Sequence, residues 1–245
     1  MTDFSHESRA TTLELNNAAP LGDSHVYPPA VELFRQGEPA GNVYLIHNGI
    51  LKLTRSEANG QEILLDLRFA GSLVGAAAAI SQKPHPFAAA TVTRCALTRW
   101  SSRNFLALMA TDITLASRVR EILSSEVLDH VARISQLTCL PARQRLEQLL
   151  WQFCERLRND NGYQPAASTS KLQLPLKHYE IADLLSITPT YLCRLLNTLQ
   201  AEQVISRSKG WIVINKPSEL WHDMPSELTS KAESDSFDVD LHIVK

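Results

Sequence analysis

Apolar and polar positions change rhythm three times along this chain. Across residues 24–100 the apolar runs are short and broken by glycine: Val43-Tyr44-Leu45-Ile46, Ile50-Leu51-Lys52-Leu53 and Ile63-Leu64-Leu65-Asp66-Leu67. Gly37, Gly49, Gly60 and Gly71 recur every 11 or 12 residues. Asn48-Gly49 and Asn59-Gly60 are strong turn signals, because a type I′ turn needs φ > 0 at both central residues. Short strands at that spacing predict a small antiparallel barrel or jelly roll.

The rhythm then turns helical. Ser101 or Ser102 can cap a short helix through Met109, and Asp112 a much longer one. Leu115, Val119, Ile122, Leu123, Val127, Val131, Ile134 and Leu137 form its apolar stripe, at spacings of mostly three and four. Residues 111–138 would span ~42 Å at 1.5 Å per residue. A helix that long, with no interior Gly or Pro, usually finds a partner helix. The stripe is therefore read as a dimer seam, blemished by Glu126 and His130. Packing on its own domain is the alternative. Pro141 ends the helix and suits the first turn of the next, whose buried face reads Leu146, Leu149, Leu150, Phe153 and Leu157. Residues 139–141 make a natural hinge, and residues 159–170 read as a polar loop.

The third rhythm, in residues 172–214, carries the function. A short helix from about Lys177 to Leu185 turns Ile181, Leu184 and Leu185 inward. Ser186-Ile187-Thr188 follows, and a second helix starts with Thr188 as N-cap and Pro189 at the first helical position. Leu192, Leu195, Leu196 and Leu199 fall on one stripe; Thr190, Arg194, Asn197 and Ala201 point the opposite way. That outward face is small or polar, and it suits a major groove, where Arg binds guanine bidentately and Asn reads adenine. Val204-Ile205, a polar turn over 206–210 and Trp211-Ile212-Val213-Ile214 predict a hairpin wing, on which Arg207 and Lys209 are placed to meet phosphates.

Charge agrees once it is divided along the chain. The net value is −2, but residues 140–216 carry 10 Lys and Arg against 6 Asp and Glu, an excess of +4. Residues 1–139 carry 12 against 13, and residues 217–245 carry 2 against 7. A basic excess confined to one segment is where a nucleic-acid footprint is sought. The four cysteines, Cys95, Cys139, Cys154 and Cys193, are too scattered for a metal or iron–sulfur site. No apolar stretch approaches the ~20 residues of a membrane span, and the polar start is not a signal peptide, so the expected location is the cytoplasm, away from membranes. A nucleophile elbow, phosphate loop, zinc motif and spaced carboxylate pair are all missing, which argues against an enzyme.

The run from Tyr179-Glu180-Ile181-Ala182-Asp183 through Ser186-Ile187-Thr188-Pro189-Thr190-Tyr191 to Arg194-Leu195-Leu196 resembles the helix-turn-helix of the CRP/FNR family of bacterial regulators. Phe34, Gly37-Glu38, Tyr44, Gly49, Gly60, Gly71 and Gly75 resemble its β-roll, so the likeness covers about residues 24–216. The resemblance implies an α+β chain: a flexible tail (1–20), a β-roll sensor-like domain (21–110), a long dimerisation helix (111–140), a winged helix-turn-helix (141–216) and an acidic disordered tail (217–245). It implies a homodimer that binds a palindromic promoter site in double-stranded DNA, with RNA polymerase as a candidate partner. Arg194 falls on the family's base-reading Arg, Thr190 where many members have a Glu, and His178 near a phosphate contact. Pro189, Tyr191 and Asn197 complete the expected DNA-binding set with Arg207 and Lys209. Ser186 replaces the usual turn glycine.

In cyclic-AMP-binding relatives a Glu holds the ribose and an Arg-Ser pair the phosphate; Ala76 and Phe87-Ala88 stand at the matching places here. An anion needs a charged donor in such a site, so no cyclic-AMP binding is expected. Haem and an iron–sulfur cluster are not expected either; His25, His47, His85 and His130 are isolated, and no cysteine precedes Cys95. An uncharged ligand in an Ala-lined pocket, or no effector, remains open. The competing reading is a ligand-binding regulatory module acting on a protein partner.

Overall fold

The computed structural model describes residues 22–161, 170–172, 175–208, 211–215 and 220. The two tails (apart from Leu220 and the last residue before β1), loop residues 162–169 and Lys209 lie outside the described residues. Eight strands form the N-terminal half: β1 (Asp23–Tyr27), β2 (Glu32–Phe34), β3 (Asn42–Asn48), β4 (Leu51–Ser56), β5 (Glu62–Arg68), β6 (Leu73–Val74), β7 (Ala88–Thr91) and β8 (Cys95–Ser101). They make two antiparallel sheets, ordered β1-β8-β3-β6 and β2-β7-β4-β5. Their facing sides bury Phe34, Tyr44, Ile46, Leu51, Leu53, Val74, Ala89, Cys95 and Leu97.

The two Asn-Gly signals resolve differently, and neither is type I′, since neither Asn has positive φ. Asn59-Gly60 closes the β4–β5 hairpin. Gly60 N–H donates to Glu57 O at 2.9 Å, with Gly60 at φ 81°. This is the three-residue loop in which a type I turn is followed by a left-handed glycine. Asn48-Gly49 joins no hairpin, because β3 and β4 belong to different sheets. Gly49 (φ 99°) carries the chain across the sandwich so tightly that a Cβ would lie 2.6 Å from Arg94 O and from Cys95 Sγ. Turn chemistry is local; whether the flanking strands pair is decided by which edges are free.

Helix α1 (Ala76–Ser81), not anticipated from the sequence, buries Ala76, Ala78 and Ala79. Helix α2 (Ser102–Thr111) begins as expected, with Ser101 Oγ accepting from Asn104 N–H at 3.2 Å. Asp112 caps α3 (Ile113–Cys139), accepting from Thr114 N–H (2.9 Å) and Leu115 N–H (3.0 Å). The expected single seam of α3 is in fact divided. Leu115 and Val119 are buried against Val43, Leu45, Trp100 and Phe105 of the β-roll, with Ile122 and Leu123 packed alongside. Beyond Ile113 in its first turn, the exposed large apolar residues of α3 are Val127, Leu128, Val131 and Ile134, at 59–65%. Glu126 turns toward the β-roll, beside Arg68.

Helix α4 (Ala142–Asn161) runs further than expected, so residues 159–161 are helical rather than loop. Helices α5 (His178–Leu184) and α6 (Pro189–Ala201) follow, then strands β10 (Ile205–Ser208) and β11 (Trp211–Ile214). A third strand, β9 (Ser170–Leu172), pairs with β11, so Ser170 belongs to the wing sheet rather than to the loop. The α4–α6 core includes Leu146, Leu150, Phe153, Ile181, Leu192, Leu196, Leu199 and Ile214. Ile50, Leu64 and Leu67 of the β-roll belong to that same cluster, so the two halves share one apolar seam.

Candidate DNA-binding face

The recognition face depends on a turn that fixes α6 across α5. Ile187 N–H donates to Ala182 O (3.0 Å) and Ser186 N–H to Asp183 O (2.9 Å), the two bonds of a Schellman end. That geometry needs a left-handed residue, and Ser186 supplies it at φ 50°. A side chain there is strained, which explains why a glycine is the common choice. Thr188 Oγ1 accepts from Tyr191 N–H at 3.2 Å, and Pro189 opens the helix, as the sequence predicts.

Leu192, Leu195, Leu196 and Leu199 are buried. Pro189, Thr190, Tyr191, Arg194 and Asn197 are all exposed on α6. Among the described residues the Arg194 guanidinium has no hydrogen bond or ion pair, so all of its donors are open. His178, at the start of α5, reaches this helix: its Nδ1 lies 3.9 Å from Cys193 Sγ. Arg207 on β10 is not free. Its Nε donates to Gln200 Oε1 at 2.8 Å and its Nη2 to Asn197 Oδ1. The wing arginine therefore braces the recognition helix and orients the Asn197 amide. Gln200, not singled out from sequence, joins this face one turn beyond Asn197, a spacing that could have exposed it.

Ion pairs made by Arg143 and Lys52 hold the face in place. Arg143 on α4 grips Glu202 at the end of α6 (2.8 and 2.6 Å) and Glu147 (2.8 Å). This raises the Arg143 pKa and holds the Glu202 carboxyl below its usual range. Glu180, 6% exposed, accepts from Lys177 N–H (2.8 Å) and from Lys52 Nζ (2.7 Å) on β4. Burial would lower the Lys52 pKa, but the bond and charge of Glu180 outweigh it and raise it. Asp183 accepts from Leu64 N–H (3.1 Å), on the outer edge of β5. Helix α5 is thus tied to the β-roll by polar contacts at two points.

The β-roll interior has a different character. A cavity of about 60 Å³ is lined by Leu53, Leu73, Val74, Ala78, His85 and Phe87, with Arg68 and Glu126 at its polar side. His85 stacks on Phe34 at 3.7 Å between ring centroids and 11° between planes. It is buried with Nδ1 unpartnered, and burial pushes its pKa down. Burial pushes the Glu126 carboxyl up, against the opposing pull of Arg68.

A β-roll joined to a winged helix-turn-helix with an open Arg-bearing recognition helix defines a DNA-binding transcription regulator. The model of the cyclic nucleotide-binding domain matches residues 24–112, and that of the Crp-like helix-turn-helix domain matches residues 144–222. The chain belongs to the CRP/FNR family. It is 27% identical to the global nitrogen regulator of Nostoc sp. PCC 7120 over 79% of this chain and 89% of that protein. It is also 27% identical to the nitrogen fixation regulation protein FixK of Rhizobium meliloti, over 79% and 83%. In fold it is similar to FixK2 of Bradyrhizobium japonicum (TM-score 0.67, 18% identity, 82% of this chain and 96% of that one). It is similar too to the global regulator CLP of Xanthomonas campestris (0.67, 22%, 84% and 99%). Among the described residues no helix is long and apolar enough to cross a membrane.

Proposed function

We propose that this regulator binds a two-fold symmetric promoter site as a homodimer, in the cytoplasm, without control by cyclic AMP. The observation that carries the reading is the unpartnered Arg194 on the exposed face of a helix whose other face is buried. Arg194 reads guanine, and Thr190, Pro189 and Asn197 lie on the same helix within reach of base edges. Tyr191, His178, Arg207 and Lys209 serve the phosphate backbone. The exposed row Val127, Leu128, Val131 and Ile134 supports pairing along α3, since its three- and four-residue spacing makes a continuous apolar strip. RNA polymerase is the protein partner that a promoter-bound regulator of this kind would meet.

The cavity of about 60 Å³ supports control by something other than a nucleotide in the β-roll, because pockets that bury drug-sized ligands run to roughly 300–1,000 Å³. Ala76 and Phe87-Ala88 offer an anion no charged donor, and the Arg68 of the cavity wall is already engaged by Asp66 and Glu126. No metal, haem or cluster enters this reading. The test is selection of bound duplexes from random DNA by purified, ligand-free protein. Enrichment of a palindrome with half-sites about one helical turn apart is expected; an unenriched pool would overturn effector-independent binding. Calorimetric titration with cyclic AMP giving micromolar affinity would overturn the second part.

A further inference from the structure

A second cavity, of about 260 Å³, lies where the β-roll, α3, α4 and α5 meet. Its wall includes Asp66 and Arg68 from β5, Asp129, Arg133 and Gln136 from α3, and Arg145 and Gln152 from α4. Two of its three arginines are already satisfied. Asp66 takes Arg68 at 3.1 Å and Arg133 at 2.9 Å, and Arg133 also donates to Leu184 O. Arg145 is different. Its Nη1 donates to Leu137 O (2.9 Å) and Leu140 O (3.0 Å) at the end of α3, but its Nε is buried without a partner. Among the described residues no carboxylate pairs with it. A guanidinium stays charged at any relevant pH, and a cation that lines a cavity with no carboxylate paired to it favours an anionic occupant.

We infer that this junction is a binding site for a small organic acid, whose carboxylate or phosphate engages Arg145. Gln136 and Gln152 line the same cavity, and Leu149 and Phe153 give it an apolar wall for a short carbon skeleton. The volume sits just below the range for drug-sized ligands, which favours a small acid over a nucleotide. A ligand here would touch the β-roll, α3, α4 and the end of α5 at once; the site shares Arg68 with the small β-roll cavity and draws no residue from α6. The inference concerns binding alone and stands or falls apart from the DNA site.

The test is isothermal calorimetry on the full chain with succinate and, separately, phosphoglycolate, which distinguishes a carboxylate site from a phosphate site. Saturable binding of one of them below about 10 mM is expected. Arg145→Gln should weaken it roughly tenfold or more, as loss of a charge-assisted pair does. Because Arg145 also holds the end of α3, Gln152→Glu at the exposed edge provides a second variant. It adds a negative charge and should weaken the same acid without unfolding the chain. Arg194→Ala should leave binding unchanged. The inference is overturned by no saturable heat with either acid, by unchanged affinity in Gln152→Glu, or by loss of binding in Arg194→Ala, which would place the acid on the DNA face.

Discussion

The β-roll cavity and the outer face of α6 dispose of side chains in opposite ways. Inside the roll, His85 is flattened on Phe34, Phe87 lines the wall and Ala76, Ala78 and Ala79 of α1 are buried, leaving about 60 Å³. On α6 the leucines are withdrawn and a charged side chain is left with nothing to hold. An interior evolves toward satisfied contacts and small voids. A surface that binds must carry donors that the protein itself does not consume. The contrast locates recognition chemistry at the C-terminal end and predicts how each region fails.

Leu196→Ala should cause the largest loss. It empties a site 1% exposed beneath the recognition helix and should cost about 2–5 kcal/mol in denaturant unfolding. Arg194→Ala should do the reverse, leaving unfolding unchanged while costing ~1–3 kcal/mol of affinity for a selected duplex. If both variants lost stability alike, the division between a packed face and a free face would be wrong. Within the roll, Gly49→Ala should cost about 1–3 kcal/mol, because strain adds to contact with Arg94 O and Cys95 Sγ. Gly60→Ala, with nothing within 4 Å of the added Cβ, should cost visibly less in the same melt. Ser186→Gly should stabilise by only ~0.5 kcal/mol, the left-handed strain relieved less the added entropy of the unfolded chain.

The last prediction concerns pH. Burial raises the Glu126 carboxyl above its ordinary value in the folded chain. The folded state then holds a proton that the unfolded chain has already released. Stability from this group is full below the ordinary glutamate range and falls as pH rises through the raised value. Glu126→Gln should flatten that decline in melts taken from acid to neutral pH; an unchanged slope would show that the carboxyl is well solvated.

Much of the recognition module was legible because its signals are local. Thr188 and Pro189 start a helix wherever they fall before a leucine stripe, and Asp112 and Ser101 cap theirs for the same reason. The sequence also showed that Arg194 and Asn197 share a face, since helical period alone decides that. The α3 stripe misled because periodicity says which side is apolar, not what covers it. Its first half met the β-roll, and only its second half was left open. Likewise Arg207 was legible as a wing cation but not as a brace for Asn197, a contact set by the register of β10 against α6.

By itself, then, the chain's order of residues determined the longer helices, their caps, the amphipathic faces and the identity of the outward Arg194, all of which follow from backbone geometry over a few residues; α1 and β9 were not legible in it. Tertiary structure alone decided that β3 and β4 part into different sheets and that Asp183 closes the edge of β5. It also decided that Arg145 is left with an unpaired buried N–H in a cavity between the two halves. Those outcomes depend on which distant groups arrive first at a shared surface, and no local pattern encodes the partner.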